Sequence, residues 1–434
     1  MSSRILTLKK ATRVGAVFAV ASVASVALAA CGGSSNDTST SGPDSGSSSS
    51  SLTGTPIKIG YVASKSGAQA TNGLAAEAVA HAWQESTNAS GGILGHPVEI
   101  EIVDSKNTVP GATSAAKAFL ADDSVDAIFM TDLVAEGAMA DLFKDTPVPV
   151  ISGGGSSDLL WSQVPGVFQN VSGSDYTIKS YIDQSKAAGA KSFGWAACAE
   201  VAVCATNGEK AEDYVKSIGM DATGVQQFSA TASDYTAQCL AFTGKDTDAI
   251  AFNIGYAVGA RVATDCLQQG YDGIFSVINS GFDQEAFSKV SGFKSAGGTQ
   301  GFPWWSDDAK VVAYRDAMNK YSPDGVYTSG NSTAIWSSFE LFQKALENAK
   351  PAEINRTTAM DAMYTVKDET LDGLLPEPIT YTKGQASKPV GCNWLFTFNA
   401  GDDNPKGIAP ATSGNSATGD LASTCGGYLP GLGI

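Results

Sequence analysis

The stretch that decides the fold runs from Ile57 to Val103: KIGYV (58–62), ASKSGAQATNG (63–73), a helical segment, NASGGILGHP (88–97) and VEIEIV (98–103). In the helical segment Ala75, Ala78, Val79, Ala82 and Trp83 recur at the 3.6-residue period, which puts an apolar stripe on one face. The flanking runs are short, apolar and bounded by Gly, Ser, Thr and Asn, so they read as strands. Strand, loop, helix and strand make one βαβ unit, and parallel strands need such a crossover.

The pattern continues downstream. Residues 109–121 read as a helix, 127–130 as a strand, 135–144 as a helix and 148–151 as a strand, which predicts a mostly parallel sheet covered on both faces. After an extended passage at 167–171, a second series begins at Tyr176, with helices to 188, at 211–218, 235–242 and 257–268. Its strands fall at 192–196, 225–229, 249–252 and 274–278. The class is therefore α/β with two similar lobes. The tail is no third copy: 298–304 looks extended, 309–321, 334–348 and 357–364 helical, and strands are expected at 378–381 and 393–398.

The chain has 434 residues, enough for two or three domains with a core in each. Its formal charge is −16, and it becomes −20 without residues 1–30, which hold Arg4, Lys9, Lys10 and Arg13 and no acid. Such a surface repels phosphate backbones, so nucleic acid is not an expected partner. Residues 4–13 are basic, 14–30 small and apolar, the layout of a secretory signal (1–30). Leu28-Ala29-Ala30-Cys31 resembles the lipobox of bacterial lipoproteins, which implies lipid on Cys31 and a place on the extracytoplasmic face of the membrane. A Ser/Gly tether (31–55) follows, too polar to pack. The six remaining cysteines suit three disulfides in an oxidising compartment, paired in sequence order as Cys198–Cys204, Cys239–Cys266 and Cys392–Cys425. No CxxC pair occurs and His81 and His96 lie far upstream, so neither a metal nor a cofactor is expected.

The run Asn88-Ala89-Ser90-Gly91-Gly92-Ile93-Leu94-Gly95 resembles the corresponding turn of the branched-chain amino-acid (Leu/Ile/Val) binding proteins, substrate-binding lipoproteins of ABC importers. The resemblance implies the type I periplasmic binding protein fold, with three crossings between lobes, placed near 169–174, 298–303 and 366–371. Lobe 1 is then 56–172 with 303–366, and lobe 2 is 173–302 with 367–434. It also implies a small amino-acid-like or amphipathic solute held between the lobes, a membrane permease as partner, and a monomer.

In open parallel sheets, ligands sit beyond the carboxyl ends of the strands. After the first strand, Ser66 and Asn72 are candidates, with Asn72 standing where the family commonly has an aromatic. After the third come Thr131, Asp132 and Leu133, and after the fourth Gly153, Gly154 and Ser156, in loops that hold the ligand's carboxylate and amino groups in family members. Asp132, Glu200 and Asp283 are candidate ammonium partners, and Tyr256, Phe282 and Trp304 candidate aromatic covers. No Walker A loop, Gly-x-Ser-x-Gly elbow or HExxH occurs and no His falls near the cleft, so catalysis is not expected. The rival reading keeps the fold but makes it a sensory ectodomain reporting to a membrane signalling partner.

Overall fold

In the computed structural model, the described residues are 52–67, 69–132, 134–153, 158–408 and 423–426; Cys31, Leu133, Gly154 and Ser156 lie outside them. The first sheet comprises β1 (Ile57–Ala63), β2 (Val98–Asp104), β3 (Ala127–Thr131), β4 (Val150–Ser152) and β5 (Val167–Gln169), all parallel, in the order β2-β1-β3-β4-β5. Side chains alternate along these strands as the pleat requires. Ile59, Tyr61 and Phe129 face one layer, while Val62, Ile128 and Met130 face the other.

The second layer rests on α2 (Val109–Ala121), whose Ala112, Ala115, Ala116 and Phe119 are buried. Gly60 faces it because a Cβ there would lie 2.4 Å from the Phe119 ring. The first layer holds α1 (Ala70–Ala89). The helix expected at 135–144 is a 3₁₀ turn (Glu136–Met139) followed by the short α3 (Ala140–Phe143), and α4 (Asp158–Trp161) precedes β5.

The second sheet begins after α5 (Ser174–Ala187) and holds β6 (Ser192–Cys198), β7 (Asp221–Phe228), β8 (Ala249–Asn253), β9 (Ile274–Ile278) and β10 (Lys294–Thr299). Its order β7-β6-β8-β9-β10 repeats the 2-1-3-4-5 order of the first, so the two lobes share a topology. Its helices are α6 (Ala202–Ser217), α7 (Thr236–Thr243), α8 (Tyr256–Gln268) and α9 (Gln284–Ser288). Cys204 lies in the first turn of α6, which starts well before the expected residue 211.

The chain then returns to the first lobe. Helices α10 (Ala309–Tyr321) and α11 (Gly330–Ala349) pack on α1, and α12 (Arg356–Met363) packs on α11 and β3. Phe339 of α11 stacks between Trp83 and Phe129, with ring centroids 4.7 and 4.4 Å away, which joins α1, α11 and β3. The passage 364–391 lies along β5, with Tyr381 Oη donating to the Gln169 carbonyl and Ser387 Oγ to that of Val167. In it the strand expected at 378–381 is a single bridge, Glu369 to Ile379. The chain ends in β11 (Cys392–Asn399), antiparallel to β10, with the short β12 (Lys406–Gly407) and β13 (Thr424–Cys425) against β11.

The disulfides join Cys198 to Cys204, Cys239 to Cys266 and Cys392 to Cys425, with Cα–Cα distances of 5.5, 4.8 and 4.0 Å. Among the described residues no helix is long and apolar enough to cross a membrane.

Candidate functional site

In each sheet the strand order reverses beside the first strand, between β1 and β3 and between β6 and β8, and the crevice at such a switch point is where open α/β sheets bind ligands. Both crevices open onto one cavity of about 100 Å³. Lobe 1 lines it with Ser64 after β1, Asn72 in α1, Thr131 ending β3 and Asn331 in the first turn of α11. Lobe 2 lines it with Thr177, Tyr181, Asn253, Ile278, Asn279 and Ser280. Val171, Ser172 and Gln300 come from the crossings and complete its lining.

Hydrogen bonds hold these side chains in place. Thr131 Oγ1 donates to the Gly153 carbonyl at 2.8 Å and shares a 2.7 Å hydrogen bond with the Tyr61 hydroxyl. Gln300 Oε1 accepts from the Ser172 backbone N–H (3.2 Å) and from Asn279 Nδ2 (3.1 Å), while its Nε2 donates to Ser172 Oγ. This network links the first two crossings to each other and to the turn after β9 at the cavity wall. Gly73 allows α1 to approach the Ser64 backbone, where a Cβ would lie 2.2 Å from the carbonyl oxygen. Tyr181 Oη donates to the Phe252 carbonyl. Burial pushes the Tyr61 and Tyr181 hydroxyls well up, so both stay neutral. Among the buried side-chain atoms without a hydrogen-bond partner are Ser64 Oγ and Asn253 Oδ1, which belong to cavity-lining residues of lobe 1 and lobe 2.

A groove of about 230 Å³ adjoins the cavity, since Thr71 and Ile254 line the groove and their neighbours Asn72 and Asn253 the cavity. Its two charged side chains are occupied. Glu200 accepts from Ser229 Oγ (2.8 Å) and the Ala230 N–H (2.7 Å). Arg261 donates to the Ala230 and Ala232 carbonyls and lies 5.3 Å over the Tyr235 ring.

Two larger depressions lie elsewhere. One, about 500 Å³, sits at the amino ends of the second sheet's strands, around Asp246, Asp248 and Asp272. The other, about 680 Å³, is an acidic groove between α9 and the 323–328 loop. Neither is at a switch point, so size does not decide the site. Among the described residues one cluster has metal-ligand atom types, Glu377 with Cys392 and Cys425, but its two sulfurs are bonded to each other and offer no thiolate.

Of the residues read from sequence, Asn72 and Thr131 line the cavity and Glu200 the groove. Gly153 lies behind Thr131, against α11, where a Cβ would meet Ser338 Oγ at 2.4 Å. The structure places the other described candidates away from this cavity. Ser66 is exposed and donates to Asp104 at 2.7 Å, and Ser64 takes its place. Asp132 is fully buried behind the site, accepting from Ser105 Oγ and the N–H groups of Val134 and Ala135. Asp283 caps α9 and accepts from Thr328 Oγ1, and burial pushes its carboxyl up. Tyr256 lines neither the cavity nor the groove, and burial pushes its hydroxyl up with Asp283 and Glu285 adding to the effect. Phe282 and Trp304 belong to the core, centroids 5.8 Å apart, with Phe396 of β11 5.2 and 5.5 Å from them. Gln300, Asn279 and Asn331 were not anticipated: Gln300 comes from a crossing, Asn331 from a returning helix and Asn279 from the turn directly after β9, where the local signal was a polar residue at a strand's carboxyl end.

Comparison with known proteins agrees with this geometry. A family model described as "Periplasmic binding protein" matches residues 56–404, and the chain belongs to that family of solute-binding proteins. Comparison with curated protein sequences finds no match. Among solved structures, a fatty acid ABC transporter substrate-binding protein from Thermomonospora curvata is 18% identical with a TM-score of 0.68, covering 82% of this chain and 92% of its own. A branched-chain amino acid transporter substrate-binding protein from Streptococcus pneumoniae, in complex with isoleucine, is 20% identical with a TM-score of 0.65, covering 81% and 99%. A solute-binding protein of an ABC transporter from R. palustris, in complex with benzoate, is 13% identical with a TM-score of 0.66, covering 81% and 95%. The shared fold is the type I arrangement of two lobes.

Proposed function

We propose that this chain is the solute receptor of an ABC importer, tethered through a lipid on Cys31 to the extracytoplasmic face of the membrane, and that it hands its solute to a permease as a monomer. The observation that carries the reading is the composition of the cavity wall. Two switch-point crevices from different sheets and residues of the crossings enclose one volume, so a solute there touches both lobes at once. A ligand shifts a hinge equilibrium only by its differential contact with the open and closed forms, and this site makes contact with both walls depend on closure.

On this reading lobe 1 comprises 56–172 with 303–366, lobe 2 comprises 173–302 with 367–434, and residues 31–55 set the reach. Native mass spectrometry of the purified protein, followed by small-angle scattering with and without the solute it identifies, tests the receptor role. A smaller radius of gyration and a higher Tm with solute are expected. Unchanged values across amino acids, amides and carboxylates would refute it. For the anchor, Cys31→Ser is expected to move the protein from the membrane fraction to the medium or periplasm, and unaltered membrane retention would count against lipidation.

A further inference from the structure

We infer that the solute of this cleft is a small uncharged molecule that both donates and accepts hydrogen bonds, of the amide or polyol kind rather than a free amino acid or a carboxylate. The inference rests on the cleft being the solute site proposed above. Among the described residues that line the inner cavity, no side chain is ionisable except the Tyr181 hydroxyl, held neutral by burial. Five of its residues are amides: Asn72, Asn253, Asn279, Gln300 and Asn331.

The nearby charges are committed elsewhere. Asp132 spends its carboxylate on three donors behind the site. Lys65 pairs with Glu77 at 2.6 Å, and Glu200 and Arg261 are tied up at the mouth. An ammonium closed into this cavity would lose its water without gaining a counter-charge, and a carboxylate would gain only neutral donors, so either is desolvated at greater cost than an uncharged solute.

The unpartnered atoms give the complementary requirement. Asn253 Oδ1, on lobe 2, accepts only, so the solute presents it an N–H or O–H. Ser64 Oγ, on lobe 1, donates or accepts, so it takes a carbonyl or hydroxyl at the other end. A carboxamide, a urea or a vicinal diol carries both functions within a few bonds and no net charge. The two lobes are then bridged by hydrogen bonds alone, and closure satisfies two groups that burial otherwise leaves unpaired.

The test uses the purified full-length protein in two arms, acetamide, urea and glycerol against leucine and benzoate, read by thermal shift and calorimetry, with native mass spectrometry for any co-purified solute. A neutral probe is expected to raise Tm by roughly 4 °C at a hundredfold excess over Kd, with an affinity that changes less than about twofold up to roughly 0.5 M salt. Asn253→Leu, folded by circular dichroism, is expected to weaken that probe about tenfold, as loss of one hydrogen bond implies. Binding or co-purification of an ionic solute would overturn the inference and leave the receptor reading standing. No bound solute and no response in either arm would overturn both. An Asn253→Leu protein with unchanged affinity would remove the bridging argument.

Discussion

Removing the Cys239–Cys266 bridge is expected to cost stability without touching the cleft. It spans 27 residues, and in the chain-entropy model opening a loop of that length releases about 3.5 kcal/mol of constraint from the unfolded chain. Both sulfurs are fully buried between α7 and α8, so Cys239→Ala/Cys266→Ala also leaves a small void, bringing the expected loss to about 4 kcal/mol. The bridge from Cys198 to Cys204 spans 6 residues and by the same relation is worth only about 2 kcal/mol. Its position is different, however, because Cys198 lines the groove at the cavity mouth and Glu200 lies inside the loop it closes. The two double variants should therefore separate stability from function. Guanidinium unfolding, followed by the fluorescence of buried tryptophans such as Trp195, should show the larger loss for Cys239→Ala/Cys266→Ala, with solute affinity unchanged. Cys198→Ala/Cys204→Ala should lose less stability and bind more weakly. The reasoning is refuted if the six-residue bridge costs as much as the longer one, or if loss of the longer one falls below about 1 kcal/mol.

Asp132→Ala takes the acceptor from the buried Ser105 hydroxyl and the half-buried Val134 N–H, while the Ala135 N–H keeps the residue-132 carbonyl, and should lower stability by about 2 kcal/mol while solute affinity stays as it was; a tenfold weaker Kd at unchanged stability would return Asp132 to the binding site. Gly73→Ala forces a methyl against the Ser64 carbonyl, so affinity should fall at least about tenfold, and calorimetry showing wild-type binding would contradict the placement of Ser64. Burial pushes the Glu340 carboxyl up, although Trp83 Nε1 donates to it at 3.1 Å. A raised folded-state pKa means the favourable contribution is complete below the unfolded value near 4.3 and is lost as pH rises through the folded one. Glu340→Gln, which keeps an acceptor for Trp83, should thus raise Tm at neutral pH and leave it unchanged near pH 4, and melting curves with an equal shift at both would discard this account.

Elements with strong periodicity and clear boundaries were legible residue by residue: α2, β9 and α10 lie where pattern and flanking residues put them. The loop after β1 was legible as a cleft-lining segment, because it stands at the carboxyl end of a parallel strand, and Ser64 and Asn72 line the cavity there. Within it the reading went to Ser66 rather than Ser64, since which hydroxyl turns inward depends on Asp104, a partner on the neighbouring strand. Phe282 and Trp304 were misassigned for a similar reason. Their burial is made by Phe396 and Phe398 of β11, and nothing local announces that a distant strand pairs antiparallel with β10. Gln300 and Asn331 carry no signal of their own, because an amide in a crossing or in the first turn of a returning helix meets the cavity only once segments distant in sequence come together.

The antiparallel pairing of β11 with β10 bears on the order of assembly. The sheet of lobe 2 receives β11 only after α10, α11 and α12 have been made, and those helices in turn cover α1 and β3, made near the beginning. As the chain emerges from a ribosome or a membrane channel, neither lobe has its full set of strands and helices until the last hundred or so residues are out, and contacts of such long sequence separation form slowly. The interleaving of the two lobes therefore also postpones folding.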